Sequence, residues 1–207
     1  MKISSKTTLA SLIAAVTVTT LIAAPIASAK GNKRGGSVEA IFAKLDTSGD
    51  EVLVSSELVT MAQTRAEKRF DRKDSDDDGF VSLEEATTTR RGEVTDLSDI
   101  AEEIVACVAA EQEATGDDTI VVPSADRFQS PEDKFNEIDT SGDGMIELTE
   151  AQAAAETRAT ESFATMDADS DGQVTLEEFT AHKEASITTR RAIRECIKDL
   201  TEEDSVV

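Results

Sequence analysis

The apolar positions of this chain recur at helical spacing and stop at short acidic blocks. Phe42, Phe70, Phe135 and Phe163 each stand four residues before an aspartate, and Leu45, Ile138 and Met166 each stand one residue before it. Positions three apart share one face of a helix, so each pair marks the buried side of a helix that ends where the acids begin. Lys73 holds the same place before the second block and breaks the apolar pattern. Ser37 and Ser130-Pro131 are helix starts, because a hydroxyl caps free amides and proline fits the first turn. Two further stripes close the halves: Ile100, Ile104, Cys107 and Val108 in the first, Ile193, Cys196, Ile197 and Leu200 in the second. Between the halves, residues 112–129 hold Gly116, paired acids and Pro123, and read as a linker with a short extended piece at 120–122. The pattern predicts an all-α fold.

Four acidic blocks follow these helices: Asp46–Glu57 (DTSGDEVLVSSE), Asp74–Glu85 (DSDDDGFVSLEE), Asp139–Glu150 (DTSGDGMIELTE) and Asp167–Glu178 (DADSDGQVTLEE). The first two start 28 residues apart, as do the last two, and a shift of 93 residues superposes one pair on the other. Such repetition implies two similar halves. The blocks explain the composition: 43 acidic against 21 basic residues, for a formal charge of −22. That charge repels nucleic-acid phosphate and anionic lipid, and it destabilises a compact chain unless cations bind. An acidic disordered tail would spread its carboxylates, whereas these fall at fixed offsets.

The offsets carry a chemistry. A hard cation takes six to eight oxygens, and a twelve-residue loop supplies them if alternate side chains turn inward. In the second loop Asp74, Asp76 and Asp78 hold positions one, three and five, Gly79 permits the turn at six, and the Phe80 carbonyl serves at seven. Ser82 at nine can hold a water, and Glu85 at twelve is long enough to give both oxygens. The fourth loop repeats this with Asp167, Asp169, Asp171, the Gln173 carbonyl, Thr175 and Glu178. The third uses Asp139, Ser141, Asp143, the Met145 carbonyl, Glu147 and Glu150, with neutral Ser141 weakening it and Glu147 restoring charge. The first offers Asp46, Ser48, Asp50, the Val52 carbonyl and Glu57, but has Glu51 where the others have glycine and Val54 where a water should be oriented. A glutamate forced toward positive φ is disfavoured, so weak binding or none is expected there. Calcium suits these loops better than magnesium, which demands tight octahedral geometry.

At these residues the chain resembles the EF-hand family, whose motif is a helix, a twelve-residue calcium loop and a second helix. The resemblance covers residues 37–91 and 130–185, and the spacing looks like that of bacterial exported EF-hand proteins. It implies three complete calcium sites and a degenerate fourth, arranged as two EF-hand pairs with short β-bridges between loops. Val81 at position eight would form one such bridge. Only 16 residues separate the loops within each half, at 58–73 and 151–166. Two short helices with a bend would let loops pair locally, whereas one straight helix of about 24 Å would hold them apart and force pairing across the halves. Local pairing is the arrangement favoured by the sequence, with one pair in residues 30–110, a linker at 111–129 and the other pair in 130–207.

The remaining features place the protein in the cell. Lys2 and Lys6 precede an uncharged stretch from Thr7 to Ala29 that ends in Ala27-Ser28-Ala29, the layout of a secretory signal peptide at 1–29 cleaved before Lys30. An uncleaved anchor is the alternative, since that stretch is long enough to span a bilayer. Export predicts a periplasmic or secreted protein with no membrane attachment after cleavage. Cys107 and Cys196 would then form a disulfide, or remain two small buried thiols. His182 is the sole histidine and lies in no nucleophile motif, so a surface position and no enzymatic role are expected. Two function classes remain: calcium storage, buffering or calcium-stabilised structure, and a calcium sensor that exposes a groove to an unidentified protein partner. The scarcity of methionine lowers the sensor reading.

Overall fold

The computed structural model describes residues 36–89 and 92–203. The expected signal peptide lies outside them. The described chain is mostly helical, as the apolar spacing predicts. Its first helix, α1 (Val38–Leu45), starts where Ser37 accepts from the Ala40 amide, and α5 (Pro131–Ile138) starts where Ser130 accepts from the Asp133 amide.

The segments between loops are single helices. Neither α2 (Ser55–Lys73) nor α6 (Leu148–Met166) contains a glycine or proline, so nothing in them breaks the hydrogen-bond ladder. Each has 19 residues and spans about 28 Å. A loop at one end therefore cannot meet the loop at the other, and the favoured local pairing does not occur. Instead β1 (Val52–Leu53) pairs antiparallel with β6 (Val174–Thr175), and β2 (Val81–Ser82) pairs antiparallel with β5 (Met145–Ile146). The first loop bridges to the fourth and the second to the third. Because α2 runs from loop one to loop two and α6 from loop three to loop four, these helices pack side by side in opposite directions.

The position-eight residues Leu53, Val81, Ile146 and Val174 are all buried and face one another across the bridges, Leu53 to Val174 and Val81 to Ile146. Around each bridge sits a core built from both halves. One joins Phe42, Leu45, Leu53 and Leu58 to Phe163, Met166, Val174 and Phe179, with the Phe42 and Phe179 rings edge to face at 5.6 Å. The other joins Phe70 and Val81 to Phe135 and Ile146.

Past the second loop the halves differ. The exit helix α3 (Leu83–Thr87) has five residues and gives way to a hairpin of β3 (Thr88–Thr89) and β4 (Gly92–Glu93), whereas α7 (Leu176–Glu203) runs 28 residues without a break. β-branched Thr87, Thr88 and Thr89 favour the extended chain, and Gly92 turns it at φ 111°. A separate core then forms where α4 (Ala101–Thr115) packs on the second half of α7, burying Ile104 and Val108 against Ala192 and Ile193. Cys107 and Cys196 are joined there by a disulfide with Cα atoms 5.9 Å apart. The stretch read as a linker folds into this core: Ile120 and Phe128 are buried, and the Val121 amide donates to Thr189 Oγ1 at 2.9 Å. No helix among the described residues is long and apolar enough to cross a membrane.

Candidate metal centre

Each loop closes by the same main-chain route. Two residues take left-handed backbone in every loop, at positions four and six: Gly49 and Glu51, Asp77 and Gly79, Gly142 and Gly144, Ser170 and Gly172. These turns aim the position-six amide at the first aspartate. Gly79 donates to Asp74 Oδ2 at 3.0 Å, Gly144 to Asp139 Oδ2 at 2.9 Å and Gly172 to Asp167 Oδ2 at 3.0 Å. Glu51 adopts φ 69° and donates to Asp46 Oδ2 at 3.0 Å, so a glutamate at position six does not open the first loop. The strain of a side chain in that region, about 1 kcal/mol, is borne locally.

The loops divide into two kinds by their third residue. In loops two and four the oxygens of Asp74, Asp76 and Asp78, and those of Asp167, Asp169 and Asp171, lie within 4.8 Å of one another. In loops one and three Ser48 Oγ donates to Asp46 Oδ1 and Ser141 Oγ to Asp139 Oδ1, each at 3.1 Å. The cross-half bridges give each pair of loops one member of each kind.

The twelfth residue folds back over its own loop in all four cases. Glu85 Oε1 accepts from the Ser75 amide at 2.8 Å and its hydroxyl at 2.9 Å, while Oε2 accepts from the Ser82 amide and hydroxyl, both at 2.9 Å. The Ser82 and Ser75 donors hold its carboxyl down to about 2. Glu178 takes the Ala168 amide at 3.0 Å and the Thr175 amide at 2.8 Å, and Glu150 takes the Ser141 and Glu147 amides, both at 2.9 Å. Burial opposes the charge of Glu57, yet the Ser48, Val54 and Thr47 donors outweigh it and leave that carboxyl below its ordinary range. Val54 has no hydroxyl to give, whereas Ser82 and Thr175 donate theirs to the position-twelve glutamate at 2.9 Å. The first loop thus keeps its backbone shape but lacks one polar side chain.

The donor set fits calcium. It is all oxygen, it contains carboxylates already drawn together in loops two and four, and it includes a carboxylate poised at the loop mouth. Val52 and Met145 at position seven begin the bridges, and Phe80 and Gln173 immediately precede them. All the loop residues expected from the sequence are brought to one of the four loops. The spacing did not single out position two, where Thr47, Ser75 and Thr140 give hydroxyls to the glutamate at position twelve at 2.9–3.1 Å. A hydroxyl at that place in three of four loops was the available signal. His182 lies on α7, partly buried, with burial and then Lys183 and Arg190 lowering its pKa.

Comparison with known proteins agrees with this geometry. A family model described as EF hand matches residues 132–152 and 160–181, which contain the third and fourth loops. No curated protein matches the chain. The two matches, set on loops whose closure is repeated in the first half, support an EF-hand calcium-binding family for this chain.

Proposed function

We propose that this chain is an extracytoplasmic, non-enzymatic calcium-binding protein, periplasmic or secreted, that stores or buffers calcium or uses it for structural stability. The cross-half bridging carries this reading. Each loop is tied to a loop of the other half, and α2 and α6 pack together along both. A cation entering one loop therefore consolidates residues from the whole molecule, and no hand is free to open by itself. Crowded carboxylates in loops two and four supply the repulsion that a divalent ion offsets. The Cys107–Cys196 bond and the uncharged segment before Ala27-Ser28-Ala29 support an oxidising compartment. The test is fluorescence of an apolar-surface dye during calcium addition. Storage or structural use predicts no rise in dye binding, and a strong calcium-dependent rise overturns it.

A second reading, a calcium sensor for a protein partner, rests on α7. Ile187 is 58 % exposed and shares a helical face with Lys183, Arg190 and Arg194, a cationic and apolar stripe on an anionic protein. It predicts calcium-dependent retention on a phenyl matrix and recovery of a specific partner from a periplasmic extract. Absence of both removes it.

A further inference from the structure

Lys73 ends α2, one residue before the second loop, where the corresponding helices carry Leu45, Ile138 and Met166. Its ammonium does not turn to solvent. Nζ donates to the carbonyl oxygens of Glu85 at 3.1 Å, Ala86 at 2.7 Å and Thr88 at 2.8 Å. All three protons of the ammonium are thereby aimed at main-chain oxygens around the end of α3. Helix ends leave carbonyls without partners and carry partial negative charge, so a cation there is doubly favoured.

The second hand is the one that needs such a tie. Its exit helix has five residues, against 19 in α2 and α6 and 28 in α7. Helices this short are marginal, because nucleation is costly and few bonds follow it. Glu85, the loop's twelfth residue, sits in that helix and reaches back to Ser75 and Ser82 from it. In the other hands a long helix fixes the equivalent glutamate; here Lys73 joins the last residue of the entering helix to the main chain of the glutamate itself.

We propose that Lys73 is a positioning residue for the second loop: by clamping the Glu85 backbone to the end of α2 it holds the Glu85 carboxylate for calcium and sets the affinity of that site apart from the other three. The assignment rests on the calcium reading of the loop. An ammonium near a cation site also repels the cation, but that effect has the opposite sign, since removing the charge would tighten the site rather than weaken it. Loss of an outer partner that orients a metal ligand weakens binding by about 10–100-fold.

The test uses residues 30–207 with Lys73→Met, Lys73→Gln and Lys73→Arg, titrated with calcium while the amide resonances of Gly79, Gly144 and Gly172 report their own loops. Lys73→Met is expected to weaken the Gly79 response about tenfold, leave Gly144 and Gly172 as in the native chain, and be largely rescued in Lys73→Arg. Lys73→Gln, neutral and still polar, gives the same reading should the methionine variant lose helicity. An unchanged or tighter Gly79 response in both neutral variants overturns the role of Lys73. A native Gly79 resonance that ignores calcium overturns instead the calcium reading of the loop, and the proposal with it.

Discussion

The side-chain amide of Gln63 donates to Glu156 Oε2 at 3.1 Å, and the two residues stand 93 positions apart, the offset that relates the halves of the chain. Equivalent positions on α2 and α6 thus meet each other. The same exchange relates the bridges: Val52 opposite Thr175 becomes Met145 opposite Ser82, and Leu53 opposite Val174 becomes Ile146 opposite Val81. The molecule is a pseudo-twofold arrangement in which each half completes the other.

It follows that neither half folds on its own. Residues 30–116 and 117–207, produced separately, are expected to show weak helical circular dichroism with calcium and to regain it on mixing, with an elution volume for a one-to-one complex. Two independently folded halves that ignore each other would contradict the interleaving.

Much of this was legible in the sequence. The four phenylalanines before the loops are all buried, the loop lengths place every carboxylate, and the cysteines sit on stripes that pack. Pairing was not legible by rule, because local pairing and cross pairing place the same residues at position eight. The decisive feature was an absence: without glycine or proline from Ser55 to Lys73 the helix has no place to bend. Lys73 was opaque for another reason. Its partners are backbone carbonyls, which leave no mark in side-chain identity. The expectation that Glu51 would disfavour the turn weighed a local strain of about 1 kcal/mol without the aspartate bond that the strained amide makes.

The first loop should respond to two changes. Glu51→Gly removes the left-handed strain, and Val54→Ser restores the hydroxyl found at position nine of the second loop. The double variant is expected to gain about 1 kcal/mol of stability and to bind calcium in the first loop more tightly, by roughly tenfold. Thermal denaturation and calorimetric stoichiometry check it.

Removing the Cys107–Cys196 bond, which links residues 89 apart, frees α4 from α7 in the unfolded ensemble and loosens one core in the folded one. Cys107→Ala with Cys196→Ala is expected to cost about 2–4 kcal/mol in denaturant unfolding while leaving the calcium stoichiometry of the chain unchanged.

Acid should open the loops in the absence of calcium. The Glu85 carboxyl lies at about 2 in the folded chain, below the ordinary value of 4.5. A depressed folded value means its stabilisation is present above 4.5 and is lost as pH falls toward 2. In calcium-free buffer, the Ser75 and Ser82 amide resonances should hold their shifts through the ordinary carboxylate range and move only as pH falls toward about 2, and Glu85→Gln should abolish that step.

The most direct measurement is a calorimetric calcium titration of residues 30–207, with and without Glu85→Gln, Glu150→Gln and Glu178→Gln. The account predicts at least three calcium ions per chain, the loss of one with each substitution, and a gain of helical circular dichroism that a chelator reverses. No heat at millimolar calcium, with circular dichroism indifferent to the chelator, would contradict it.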